Sequence, residues 1–209
     1  QLLMMQGQTN EAIAVGQQAA ENIPQDPIIL YFLGSAYLSN QQLNNAIDKL
    51  EAASTLPARR PLKANIYGSL GNAYAGIDKW GQAFNNYDQS LKLNPKNAGV
   101  LNNYAYYLSV QKKDLTKAEK MAQQAIEIEP KNASYLDTLG WIYYQKKEYQ
   151  QAKKYIRASI DTGQASAEVL EHMGDVMEKL GNKEQAKEWW QKAFKKDSSR
   201  SHLKEKISR

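Results

Sequence analysis

ASYLDTLGWIYYQKKEYQQAKKYIRASIDTGQ, residues 133–164, decides the fold. In its first half Leu136, Leu139, Gly140 and Tyr143 recur at helical spacing, and in its second half Ala152, Ile156 and Ser159 do the same. The stretch therefore reads as two amphipathic helices joined by a short polar turn. Such a pair is too small to bury its own apolar face, so it must stack on neighbours of the same kind.

Near-copies of that pair fill almost the whole chain. The small residue of each second helix falls at Ala12, Ala46, Ala83, Ala118, Ala152 and Ala186, in steps of 34, 37, 35, 34 and 34. A matching ladder runs through the first helices at Gly34, Gly71, Ala105, Gly140 and Gly174. Recurrence at this period indicates a solenoid. A glycine or alanine at these points lets two helix backbones approach, while large residues three or four places away fill the space beside the contact.

The anchors resemble those of the tetratricopeptide repeat. Its leucine-glycine-x-x-tyrosine core stands at Leu33-Gly34-Ser35-Ala36-Tyr37, Leu70-Gly71-Asn72-Ala73-Tyr74 and Leu139-Gly140-Trp141-Ile142-Tyr143. The family's alanine follows at Ala46, Ala83 and Ala152, and its closing proline at Pro24, Pro95 and Pro130. Several positions depart from the pattern. Tyr104, Ala105 and Leu108 replace the core in one unit, and Met173 and Met177 replace its large residues in the last. Pro57 comes one residue early, while Gln164 and Ser198 stand where proline is expected. The resemblance implies an all-α fold, a right-handed superhelical solenoid of stacked helix-turn-helix repeats.

The expected organisation is a single array: a partial repeat at 1–26, repeats at 27–60, 61–97, 98–132, 133–166 and 167–200, and a polar C-terminal cap at 201–209. Pro61 suits a first helical position, so the helix after the three-residue insertion at 58–63 is expected to begin a turn early. One further extra residue falls in the loop at Lys112-Lys113-Asp114. The prolines end one helix, and the turns holding Asn97 and Asn132 offer caps to the next. Ser198 or Ser199 is expected to cap a short terminal helix. Because the chain starts at Gln1 with its first helix cut short, it reads as a piece of a longer protein, with Leu2, Leu3, Met4 and Met5 as an exposed apolar end.

Composition narrows the function. Richness in Ala, Gln, Asn, Lys, Leu and Tyr favours helix and has a bacterial character. With no cysteine there is no disulfide, zinc knuckle or thiol nucleophile. A net charge of +5 is modestly basic, but acids and bases interleave as on a solvated helical surface. No cofactor and no catalytic set is expected, since glycines occur singly and no nucleophile, base and orienting group come together. His172, near Glu168, Glu171 and Asp175, is the one metal-like group; a solvent-exposed histidine is the plainer reading.

The family resemblance implies that first helices line a concave binding groove. In that register the contact residues are Tyr31 and Ser35, Asn72, Asn102 and Tyr106, Asp137, Trp141 and Tyr144, then Glu171 and Asp175. Tyr106, Trp141 and Tyr144 would be the anchors. The competing reading buries Trp141 between repeats. The acids would favour a protein or peptide segment bearing Lys or Arg, and they replace the cations that a carboxylate-clamping groove needs. The expected role is a non-enzymatic protein- or peptide-binding scaffold. The alternative is a structural spacer or self-assembly arm that associates through its N-terminal end. Nucleic-acid contact through basic second helices is a minor alternative, disfavoured because Glu184 and Glu188 are placed to pair with Lys187 and Lys192.

Overall fold

The computed structural model describes residues 2–208; the side chains of Met4 and Met5 lie outside the described set. Every element among the described residues is helical. They are α1 (Leu2–Met5), α2 (Thr9–Asn22), α3 (Pro27–Ser39), α4 (Leu43–Thr55), α5 (Arg60–Ala75), α6 (Trp80–Leu93) and α7 (Ala98–Val110). After them come α8 (Leu115–Ile128), α9 (Ala133–Gln145), α10 (Tyr149–Asp161), α11 (Ala167–Lys179), α12 (Lys183–Lys196) and α13 (Leu203–Ser208). None is long and apolar enough to cross a membrane.

The chain forms two compact units, Gln1–Val100 and Leu101–Arg209, which divide within α7. In the first, α3 packs on α4 and α5 on α6, with α2 against α3 and α4 against α5. In the second, α9 packs on α10 and α11 on α12, while α8, α10 and α12 each meet the helix that follows.

Within a hairpin the ladder glycine faces one large residue sixteen places on. A Cβ would stand 2.7 Å from Leu50 at Gly34, 2.4 Å from Tyr87 at Gly71, 2.5 Å from Ile156 at Gly140 and 2.4 Å from Trp190 at Gly174. Where the ladder carries Ala105, the equivalent position is Ala122, seventeen places on because of the extra loop residue. Both alanines are fully buried. Three residues past the large side chain, Ser90 and Ser159 donate their hydroxyls at 2.7 Å to the carbonyls of Ala64 and Ala133 on the facing helix.

Between hairpins the motif tyrosine leans backward. Tyr143 donates to Glu119 on α8 at 2.9 Å, Tyr74 donates to Glu51 on α4, and Tyr37 accepts from Gln17 on α2 at 2.9 Å. Burial, reinforced by the facing carboxylate, pushes the Tyr74 and Tyr143 phenols up to about 12, so both remain donors.

Helix starts follow local chemistry. Asp26 accepts from the amides of Ile28 and Ile29 at 2.7 and 3.0 Å, and Asn132 from Ser134 and Tyr135 at 3.1 and 3.3 Å. Asn97 accepts from Val100 at 3.2 Å and Ser166 from Val169 at 3.3 Å. Such caps contribute about 1 kcal/mol each. Helix α5 begins early, with Pro61 in its first turn, as the insertion implied. Each hairpin turn holds a left-handed residue, at Gly7, Gln41, Asp78, Lys112, Lys147 and Gly181, with φ from 51 to 81°, and the turn into α8 has a second at Asp114, with φ of 37°.

Two local expectations fail. Ser198 and Ser199 cap nothing, because the Ser199 amide and hydroxyl donate to Asp197 at 3.0 and 2.6 Å and α13 starts only at Leu203. Among the described residues Glu184 and Glu188 form no ion pair; Lys192 instead lies 4.2 Å over the Trp189 ring, which Arg157 also approaches at 5.0 Å.

Candidate functional site

The expected contact residues fall into two sets, one in each unit. In the first, Tyr31 is half-buried, with its ring 5.2 Å from that of Phe32. The Ser35 hydroxyl is buried without a hydrogen-bond partner among the described residues. Asn72 accepts from the Tyr87 hydroxyl at 2.6 Å, so its carbonyl fixes the ring that fills the space beside Gly71.

The second unit gathers a continuous set on α7, α9 and α11. Tyr106 reaches from α7 to Glu168 at the start of α11, at 3.2 Å. Burial, then the charge and hydrogen bond of Glu168, pushes its phenol well above the ordinary value. Glu168 also lies 4.0 Å from His172 Nε2. On the other side of that imidazole, Nδ1 meets the two Asp137 oxygens at 3.1 and 2.9 Å. Trp141 stacks on His172 at 4.1 Å and 16°, and Tyr144 on Trp141 at 4.6 Å and 6°. Tyr149 completes the row edge-on to Tyr144 at 5.6 Å.

His172 is 7% exposed, which corrects the expectation of a solvent-facing side chain. Burial alone would depress its pKa, but the charge and hydrogen bond of Asp137, then Glu168 and Asp175, raise it overall. The cation so favoured lies against the Trp141 ring, an arrangement in which the ring quadrupole adds to the attraction. Trp141 itself is half-buried, between the two readings its sequence position allowed.

The acids expected to face a partner are already occupied. Glu171 is 6% exposed and is held by Arg200 at 3.0 and 2.6 Å, His202 at 2.9 and 3.1 Å and Lys206 at 2.8 Å. Burial would raise this carboxyl, yet the hydrogen bonds of Lys206, Arg200 and His202 hold it down at about 2. Asp175 accepts from Lys206 at 2.7 Å and from Trp190 Nε1 at 2.8 Å. Asp137 is 7% exposed and engaged by His172. Asp137, Glu171 and Asp175 are therefore corrected from open acidic contacts to internal acceptors. The partner of Asp137 comes from α11, one repeat further on, and those of Glu171 and Asp175 from the segment after α12, including Lys206 in α13.

A spacing that sequence reasoning passed over would have shown this. His172 lies 35 residues after Asp137, and Lys206 lies 35 after Glu171. Each cation thus meets an acid one repeat earlier. Asn102 holds the equivalent position on α7; it is 6% exposed, its amide nitrogen lies 3.4 Å from the Asn103 side-chain oxygen, and its own side-chain oxygen has no partner among the described residues. The carboxylates still partly exposed on this face are Glu168, with a side chain 44% exposed beside its contacts to Tyr106 and His172, and half-buried Glu178. Among the described residues no group of three His, Asp or Glu is arranged to hold a metal.

Comparison with known proteins agrees with the architecture. Family models of the tetratricopeptide repeat match residues 1–61, 86–120 and 133–162. No curated protein matches. A chain of the APC/C hetero-tetramer Cut9-Hcn1 superposes with a TM-score of 0.84 over 98% of this chain, at 15% identity; this chain spans only 40% of its length. A tetratricopeptide repeat protein from Parabacteroides merdae gives 0.76 at 16% identity, covering 99% of this chain and 79% of that one. The pilF protein of Pseudomonas aeruginosa gives 0.66 at 23% identity, over 79% and 73% of the two chains. The chain is a tetratricopeptide repeat protein, and repeats of this family serve as protein-interaction scaffolds.

Proposed function

We propose that the first-helix face of the second unit binds a protein or peptide segment carrying aromatic and basic side chains. The observation that carries this reading is the parallel row Tyr144, Trp141 and His172, flanked by the partly exposed carboxylates of Glu168 and Glu178. The row is fixed before any partner arrives, because Asp137 holds His172 and the rings brace one another. A pre-ordered aromatic surface saves the ordering cost that a flexible one incurs on binding. Tyr106 and Tyr144 offer phenols beside it, and Glu168 and Glu178 supply the charge for Lys or Arg. No reaction is assigned to this surface; the role is non-enzymatic.

The test is fluorescence anisotropy of a labelled peptide with alternating Trp and Arg, titrated with the full chain, its Tyr144→Ala variant and its Glu178→Lys variant. Each substitution is expected to weaken binding by about tenfold, the effect of about 1.4 kcal/mol. Unchanged affinity in both variants would remove this face as the binding surface.

A second reading, a self-assembly arm, has its own support at the start of the chain, where Leu2 is 67% and Val15 54% exposed. Sedimentation of the protein across a wide concentration range separates the two. A strict monomer excludes the arm.

A further inference from the structure

The first unit carries a cavity of the opposite chemical character. About 460 Å³ opens between the start of α3 and the link from α4 to α5, lined by Pro27, Ile28, Tyr31, Pro57, Arg59 and Leu62. It lies beside the three-residue insertion, three of whose positions line it. Leu56 and Arg59 both keep extended backbone, with ψ of 152 and 148°, so the link runs extended before α5 begins. Pro57 and Pro61 stiffen that link at its two ends. A volume in this range with mostly apolar walls and few polar groups is typical of a ligand-binding cleft. Ile28, at 52% exposure, is apolar surface left open at the rim.

The charge around the cavity has one sign. No acidic residue occurs from Ala52 to Ile77, whereas Arg59, Arg60 and Lys63 fall within that stretch. Arg60 is spent on the carbonyls of Leu93 and Lys92, at 2.8 and 3.4 Å, and Lys63 on that of Ser54. Arg59 lines the cavity, is exposed, and makes no side-chain hydrogen bond or ion pair among the described residues. The carboxylates bordering this region are committed elsewhere: Asp26 caps α3 and Glu51 receives the Tyr74 hydroxyl.

From this we infer that the cavity is a docking site for an acidic partner segment. A bulky apolar side chain of that segment enters between Ile28, Tyr31 and Leu62, and a neighbouring Asp or Glu side chain pairs with Arg59. A guanidinium free of internal partners can meet a carboxylate through two parallel hydrogen bonds, which fixes the segment's register. A single unpaired cation over an apolar cleft does not suit a polyanion, whose binding depends on many phosphate contacts. The site is independent of the aromatic row on α9 and α11 and selects the opposite charge.

The experiment uses the full chain and three short fluorescein-labelled peptides, read by anisotropy. One has a Leu-Phe pair between Glu and Asp residues, the second has Ser in place of Leu-Phe, and the third has Lys in place of the acids. The first should bind at least about tenfold more tightly than either control. Arg59→Glu and Ile28→Asp, both at exposed positions, should each weaken it by about tenfold or more, with the helical circular-dichroism spectrum unchanged. Arg59→Lys should retain part of the affinity, and Tyr144→Ala, which tests the other unit, should have no effect. The proposal is overturned by no measurable binding of the first peptide, by equal binding of the serine control, or by affinity that neither Arg59→Glu nor Ile28→Asp moves. Loss of binding in Tyr144→Ala would also overturn it, by placing the acidic segment elsewhere.

Discussion

Substituting alanine for Gly140 tests the packing rule on which each hairpin rests. The added Cβ would stand 2.5 Å from Ile156 Cγ1, 3.1 Å from the Ile156 amide nitrogen and 3.2 Å from the Ala152 carbonyl. Two of these neighbours are backbone atoms of α10, so a rotamer change at Ile156 relieves only the first and the hairpin must open slightly. Overpacking of this kind costs about 1–3 kcal/mol. The better helix propensity of alanine returns roughly 1 kcal/mol, leaving a net loss of about 0–2 kcal/mol. Ile156→Ala alone empties a fully buried position and should cost about 2–5 kcal/mol. In the double variant the new methyl group enters the vacated space, as at Ala105 and Ala122, so the two losses should fall short of their sum by about 1 kcal/mol or more. Urea denaturation followed by circular dichroism on the four proteins measures this coupling. Gly81→Ala serves as control, because a Cβ there meets nothing within 4 Å. Losses that add to within about 0.5 kcal/mol, or a Gly140→Ala protein stabilised like the control, would refute the reasoning.

Three further outcomes are expected. The pKa of His172 is raised above its ordinary value of 6.5, so its contribution is complete below that pH and is lost as pH rises through the raised value. The Tm of the wild type should therefore fall on the alkaline side more than that of His172→Gln; Glu171, held at about 2, should cost stability as pH drops from 4.5 towards that value. Lys206→Ala removes the ammonium shared by Glu171 and Asp175 and should destabilise the attachment of α13 by about 1–2 kcal/mol. Faster amide hydrogen exchange confined to residues 203–208 would report that loss. Lys147→Gly relieves a left-handed φ of 64° at an exposed turn and should raise stability by about 0.5–1 kcal/mol, read as a shifted urea midpoint with an unchanged slope.

The architecture was legible because its cause is periodic. Gly34, Gly71, Gly140 and Gly174 show at sequence level where two helices touch, and Asn97, Asn132 and Pro61 show where helices begin. The partner of each glycine was less visible, since Leu50, Tyr87, Ile156 and Trp190 share size and position but no chemistry. Once contact geometry fixes the offset at sixteen residues, the pairing of Ala105 with Ala122 follows from the extra loop residue. Tyr74 and Tyr143 were read only as packing residues, although each hydroxyl has a carboxylate waiting on the preceding hairpin.

The candidate site was harder to read for a different reason. A carboxylate is available to a partner only if the fold has not already paired it, and pairing here runs between repeats. Asp137 and Glu171 each occupy the same place on a first helix and each meet a cation 35 residues later, a distance over which local charge patterns give no signal. The same logic makes unpaired groups the informative ones. Among the described residues Glu178 on α11 and Arg59 beside the insertion are charged residues that the repeat-to-repeat pairing leaves over, and Glu168 stays partly exposed although Tyr106 donates to it. On the binding readings proposed above, selectivity for a partner comes from these remainders and the apolar surfaces beside them. Reversing the charge of Arg59 or Glu178 should alter binding while preserving the fold, whereas reversing Asp137 or Glu171 should disturb the fold first, because a buried acceptor would become a buried cation facing another.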